Sequence, residues 1–278
     1  MRREGERNFR LILEYDGSNY HGWQRQKGLI TVQEVVESCL GIMLDRPVKV
    51  RASGRTDAGV HAFGQVVNFY AATNLGPEDF QNGLNSLLPE DVVVVGAEEV
   101  DLSFHARFSA KRKVYCYRIL NRRLRFPLLR NYAWHIPAKL DIEAMRDALK
   151  HFLGEHDFSA FMASKSSVKS RVRTVFKAEL DEFGSGNLVM TFEANGFLRH
   201  MVRIMVGTVV EVGLGKRVPG DIPAILKSLD RLQAGRTAPA HGLYLMKVIY
   251  DESKDAGEND ALKVITSFLP EFTGRSAR

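Results

Sequence analysis

The segment RASGRTDAGVHAFGQ, residues 51–65, holds a single carboxylate, Asp57, two residues after Arg55 and two before Gly59. A lone acid in a glycine-containing loop can act as a nucleophile, a general base, a metal ligand or the anchor of an Asx turn. A turn is the commonest use of aspartate, but these neighbours argue against it as the whole account. Arg55 can hold the carboxylate ionised or reach for a phosphate. Gly54 and Gly59 leave room for a large ligand to approach the backbone. His61 stands four residues from Asp57, and His21, His105, His200 and His241 lie elsewhere. No HExxH or CxxC spacing occurs, so no metal is expected. GxSxG, the P-loop pattern and GxGxxG are also absent, which argues against a serine hydrolase and against a nucleotide cofactor.

Two other stretches offer reactive side chains. In KRKVYCYR, Tyr115 and Tyr117 share one face of a predicted strand. Ordinary sheet packing suits Tyr117. A tyrosine beside a carboxylate in a basic cleft can instead stack on a base and offer a hydroxyl. In NGFLRHMVRIMVG, Arg199 and Arg203 lie on one flank of a predicted helix whose other side, with Met201 and Met205, reads as core. Phe197, just before them, also reads as core. Arg199 reads as an exposed cation. An arginine that leans inward can pair with a buried carboxylate.

The elements that must position these residues follow from periodicity. FRLILEY alternates as a strand, and DGSNYHG after it is a turn-rich loop. Thr31 is placed to cap a helix, with Glu34 completing a capping box and Ile30 stapling onto Val35. Val32, Val35, Val36, Cys39, Leu40, Met43 and Leu44 form its apolar face. VKVRASG and GQVVNFY read as strands joined by the Asp57 loop, DVVVVGAEEV and FHARFSA as further strands, and GPEDFQNGLNSLLP as a short helix. From about Lys111, KVYCYRIL is a strand. Asp141 caps a helix that Gly154 closes, and TVFKAELDEF and NLVMTFEANG form a hairpin over GSG. Helices are predicted from Leu198 to Val212 and from Asp221, and GLYLMKVIY is a last strand. The mixture of hairpins and helices points to an α+β fold with antiparallel sheet and helices on one face. After Asp251 comes a polar stretch, DESKDAGEND, and then one short amphipathic helix with Leu262, Ile265, Phe268 and Leu269.

The 278 residues suit one large or two modest domains, and 45% apolar with 26% charged residues is a globular composition. No apolar run reaches the length of a membrane span, and the start MRREGERNFR lacks the apolar core of a secretory signal. Two isolated cysteines, Cys39 and Cys116, make no disulfide framework, so a cytoplasmic protein with reduced thiols is expected. The net charge is +6 and the pI about 9.3. Basic residues cluster in SAKRKVYCYR, LNRRLRFPLLR and SKSSVKSRVRTV. Their interleaved aromatics favour RNA as the polyanionic partner.

Together, GRTDAGVHAFGQV, YDGSNYHGWQRQ, FHARFSAKRKVYCYR, NGFLRHMVRIMVG and APAHGLYL resemble the TruA family of tRNA pseudouridine synthases, in the same order from about Phe9 to Tyr250. The resemblance implies isomerisation of uridine to pseudouridine at positions 38, 39 and 40 of the tRNA anticodon stem-loop, without metal or cofactor. It implies the pseudouridine synthase fold: two α+β domains, 1–110 and 111–250, with a joined, mainly antiparallel sheet, helices packed on it and a basic cleft between. Residues 251–278 are then a tail with a short helix. It also implies a homodimer with one tRNA touching both subunits. By the same resemblance Asp57 is the nucleophile, Tyr115 stacks on the substrate and Arg203 is the basic residue of the site. Arg55 helps hold the target nucleotide out of its stack, and Leu245 lines the pocket. Two readings compete. A non-catalytic RNA-binding protein would be indifferent to Asp57→Asn, and an aspartate-dependent phosphate-ester hydrolase would need a divalent ion.

Overall fold

The computed structural model describes residues 5–163 and 168–251. The expected tail helix at Leu262–Leu269 and part of the basic run at 164–167 lie outside these residues. Strands β1 (Arg7–Tyr15), β2 (Arg51–Ala52), β3 (His61–Ala71), β4 (Val92–Val100) and β5 (Arg112–Asn121) come from the first part of the chain. They are followed by β6 (Trp134–Ile136), β7 (Gly154–Asp157), β8 (Val172–Glu182), β9 (Asn187–Ala194) and β10 (Leu243–Ile249). The helices are α1 (Val32–Leu44), α2 (Pro77–Leu87), α3 (Ile142–Lys150), α4 (Met201–Gly213) and α5 (Asp221–Ser228).

All ten described strands belong to one sheet, ordered β4-β1-β3-β10-β5-β9-β8-β7, with β2 on β3 and β6 on β5. The pairings are antiparallel except β10 with β3 and β6 with β5. The late strand β10 lies between β3 and β5, so His61 pairs with Tyr244, and Leu245 pairs with Ala62 on one side and Tyr115 on the other. That insertion joins the two halves of the chain.

Strand alternation sorts the side chains. Tyr115, Tyr117, Ile119, Phe192 and Leu245 point into the main core, where every described α-helix buries its apolar stripe. Val114, Cys116, Val189, Tyr244 and Met246 form a small cluster on the opposite face. The fold is therefore α+β with helices on one face, as expected. Helix α4 is apolar almost all round because it is buried almost all round. Burying residues such as Val202, Met205 and Val209 is worth about 1.5–3 kcal/mol each. Cys39 and Cys116 are both free and buried. No helix among the described residues is long and apolar enough to cross a membrane.

Several local expectations need correction. Thr31 occupies the N-cap of α1, but its side chain makes no capping bond, and Ile30 is exposed rather than stapled. The reason is tertiary: Val32 and Gln33 donate their first-turn N–H groups to the carbonyls of Gly22 and Trp23. Glu34 then pairs with Arg25 at 3.2 Å. Only Arg51 and Ala52 of VKVRASG are strand. FHARFSA is a pinned turn rather than a strand, since Ser109 N–H returns to the His105 carbonyl and Ala106 N–H goes to the buried Asn68 side chain. Helix α4 starts at Met201, three residues later than expected. Helix α3 ends at Lys150, and Gly154 opens β7 instead of closing the helix.

Candidate active site

The Asp57 loop is a rigid bridge from β2 to β3. Buried Gln65 accepts from Ser53 Oγ at 2.7 Å and donates to the Gly54 carbonyl at 3.0 Å. Lys113 Nζ donates to the Ser53 carbonyl at 2.6 Å. Trp23 N–H donates to the Thr56 carbonyl at 3.0 Å, and the Tyr15 hydroxyl shares a 2.8 Å bond with Thr56 Oγ1. Val60 N–H returns to the Asp57 carbonyl. At about 1 kcal/mol each, such bonds together fix the loop before any ligand arrives. The two glycines serve the loop itself. Gly59 has φ +77°, a conformation other residues adopt at a cost, and a Cβ on Gly54 would come to 3.0 Å from Lys113 Nζ.

Helix α4 brings the counter-charge. Arg203 Nη1 donates to Asp57 Oδ2 at 2.8 Å, while its Nε donates to the Ala238 carbonyl at 2.8 Å. His200 Nε2 stands 3.4 Å from the same Oδ2. His200 caps α4 in the left-handed region, φ 61°, a conformation uncommon outside glycine and often found at functional sites. The Asp57 side chain is 30% exposed. Burial pushes its carboxyl up, but His200 and Arg203 together outweigh burial and hold it below the ordinary carboxylate range. Arg203 is the closer partner, with a hydrogen bond at 2.8 Å against 3.4 Å for His200.

Tyr115 comes from β5 with 8% of its surface exposed and lies edge-on to Phe197 at 5.2 Å. Burial, then Tyr15 and Asp57, keep its hydroxyl protonated well above the ordinary range. Asp57, Arg203, Tyr115 and Arg55 all line one cleft of about 1630 Å³. Arg55 is exposed there and makes no ion pair among the described residues. Leu245 is not among the lining residues: it is fully buried beside Tyr115 on the paired strand, and Leu243, two residues earlier, faces the cleft. Tyr117 is core, with its hydroxyl on the Pro239 carbonyl. His61 is buried between the Asp16 carboxylate and the carbonyls of Asn131 and His241, a packing role.

Asp57 is the only acid among the described residues lining the cleft, which also presents Arg51, Arg107, Lys113, Arg173 and Arg199. Such a cleft attracts a polyanion and keeps one carboxylate ionised for it. Among the described residues no three His, Cys, Asp or Glu side chains gather as metal ligands. Sequence reasoning passed over His200 and Lys113. The HMVR spacing, which puts His200 one helical turn before Arg203, was the available signal for the first.

The family model described as tRNA pseudouridine synthase matches residues 11–109 and 148–251. The chain is 50% identical over 244 residues to tRNA pseudouridine synthase A of Thermoanaerobacter pseudethanolicus, covering 88% of this chain and 100% of that protein. It is 47% identical over 246 residues to the protein of the same name from Acetivibrio thermocellus, covering 88% and 100%. Among solved structures, an archaeal box H/ACA sRNP Nop10-Cbf5 complex matches at a TM-score of 0.36 and 13% identity, over 91% of this chain and 58% of that one. The chain belongs to the tRNA pseudouridine synthase family, isomerases that convert uridine to pseudouridine in tRNA.

Proposed function

We propose that the protein isomerises uridine at positions 38, 39 and 40 in the anticodon stem-loop of tRNA, with Asp57 as nucleophile. The observation that carries this reading is the isolated Asp57 carboxylate in a cation-lined cleft, held ionised by Arg203 from a helix 146 residues further along. The reaction breaks the N1–C1′ bond, turns the base, forms C5–C1′, releases the C5 proton and leaves N1 to take up a proton. The base keeps its atoms and its oxidation level, so the chemistry calls for neither a metal nor a redox cofactor. An ionised aspartate can assist by attack at C1′, by attack at C6 or by stabilising the sugar fragment after elimination.

The target uridine must leave its stack, which costs a few kcal/mol. Tyr115 offsets that cost by stacking on the base, and exposed Arg55 holds the nucleotide out of the helix. Leu245 contributes from the neighbouring strand, as a buried lateral support of Tyr115. Residues 1–110 and 111–250 act as two domains sharing the sheet, and a homodimer in the cytoplasm presents two clefts to one tRNA. The test is release of tritium from C5 of uridine in tRNA, followed by mapping of pseudouridine. Full activity in Asp57→Asn would sink the nucleophile, and pseudouridine outside the anticodon arm would sink the substrate assignment.

A further inference from the structure

Phe108 lines the same cleft yet stands 76% exposed, a large aromatic ring kept out of the core. Its position is built. The turn that carries it is closed by the Ser109 N–H on the His105 carbonyl, the His105 N–H on Ser109 Oγ and the Arg107 N–H on His105 Nδ1. Ala106, fully buried, anchors the turn through Asn68 and the Tyr250 hydroxyl. The His105 ring lies 4.4 Å from the Phe108 ring, and Arg107 Cζ lies 5.5 Å from it. Burial and the charges of Arg51 and Arg107 favour the neutral form of His105, in agreement with an Nδ1 that accepts a hydrogen bond. The result is an aromatic ring presented to the cleft on a backbone turn that is fixed in advance.

Beside it sit cations without an acid. Lys113 is half-buried with its Nζ on a carbonyl, and the charges of Arg107 and Arg173 bear on it. None of the three pairs with a carboxylate among the described residues. Like charges gathered in this way repel one another, and a phosphate relieves the repulsion.

We propose that Phe108 and His105, with Lys113, Arg107 and Arg173, form a second nucleotide subsite, which stacks on the base adjacent to the target uridine and grips the phosphate joining the two. The inference rests on the reading of the cleft as an RNA site. Flipping one base uncovers a face of its neighbour, and an aromatic ring can cover that face whatever the base, because every base has a π-face.

Stem-loop RNAs carrying 2-aminopurine on either side of the target uridine test it. With the wild-type protein, fluorescence is expected to be quenched from one side. Phe108→Ala should abolish that quench and weaken RNA binding about tenfold, and Phe108→Trp should restore both. An abasic residue at the stacked position should make wild type and Phe108→Ala bind alike. Lys113→Gln should lower the slope of log affinity against log salt by about one. Quenching from neither side, or a Phe108→Ala protein that quenches and binds as wild type, overturns the subsite. Quenching without pseudouridine formation leaves the subsite standing and strikes the proposed reaction. Absence of RNA binding by the wild type overturns both.

Discussion

Arg203 ties two distant pieces of chain to one another: its Nη1 holds Asp57 Oδ2 at 2.8 Å and its Nε holds the Ala238 carbonyl at 2.8 Å. Ala238 N–H in turn donates to the Arg203 carbonyl. The guanidinium is thus fixed in orientation before it meets the carboxylate. A lysine could supply the charge but not both bonds in that plane.

Replacing Asp57 with asparagine keeps the shape and removes the charge. Tritium release from C5 of tRNA uridine should fall by about a thousandfold or more. Affinity for tRNA should be kept or tightened, because the variant removes the one acid among the described lining residues. Filter binding beside the tritium assay separates the two effects. Equal loss of binding and turnover would contradict the proposed role.

Arg203→Ala leaves only His200 to oppose burial, which pushes the Asp57 carboxyl up. The acid limb of the kcat/KM profile should therefore move to higher pH, and Arg203→Lys should move it only part of the way. In the wild-type protein the folded carboxyl lies below its unfolded value. Its stabilising contribution is complete above the unfolded value, near pH 4, and is lost as pH falls through the folded one. Arg203→Ala should cost about 2 kcal/mol at neutral pH, less than breaking a fully buried pair. Urea unfolding at pH 7 and pH 3 should show the difference shrinking in acid.

Lys113 has its pKa lowered to about 8 by burial and by Arg107 and Arg173. Its ammonium is disfavoured in the fold, so between about pH 8 and the unfolded value near 10.4 the unfolded chain binds the extra proton and stability rises with pH. Affinity for RNA should fall over the same interval as the charge is lost. Lys113→Arg should remove that step in affinity. Binding and melting measured from pH 7 to 10 check both signs.

Gln65→Leu fills the same space but strands Ser53 Oγ and the Gly54 carbonyl, which Gln65 now satisfies. A loss of about 2–4 kcal/mol is expected for two buried polar groups left without their partner. Activity should fall beyond what the unfolded fraction explains, because the Asp57 loop loses its fixed path. A variant with normal Tm and normal kcat would show that the loop needs no such support.

Much of this was legible locally. The β8–β9 hairpin, helix α2 with Pro77 at its start and the Asp141 cap of α3 announce themselves in turn chemistry and apolar spacing. Asp57 stood out because its neighbours are unusual. What stayed hidden is non-local. Thr31 is a good cap by sequence, yet Gly22 and Trp23 supply the carbonyls. FHARFSA alternates passably, yet Asn68 and Tyr250 bend it into a turn. Leu245 and Leu243 share a strand face, and only the sheet decides which one reaches the cleft. No window of sequence around Asp57 contains Lys113, His200 or Arg203.

The placement of β10 between β3 and β5 has a consequence for timing. In a chain made from its N-terminus, the loop bearing Asp57 emerges long before α4, and the strand that locks the halves together emerges later still. A nascent chain therefore carries its acid without the arginine that tunes it, and its basic surface without a finished groove. The sheet that joins the two halves is complete only once β10 has docked. Until then the edges of β3 and β5 that β10 covers are open to pairing with another strand.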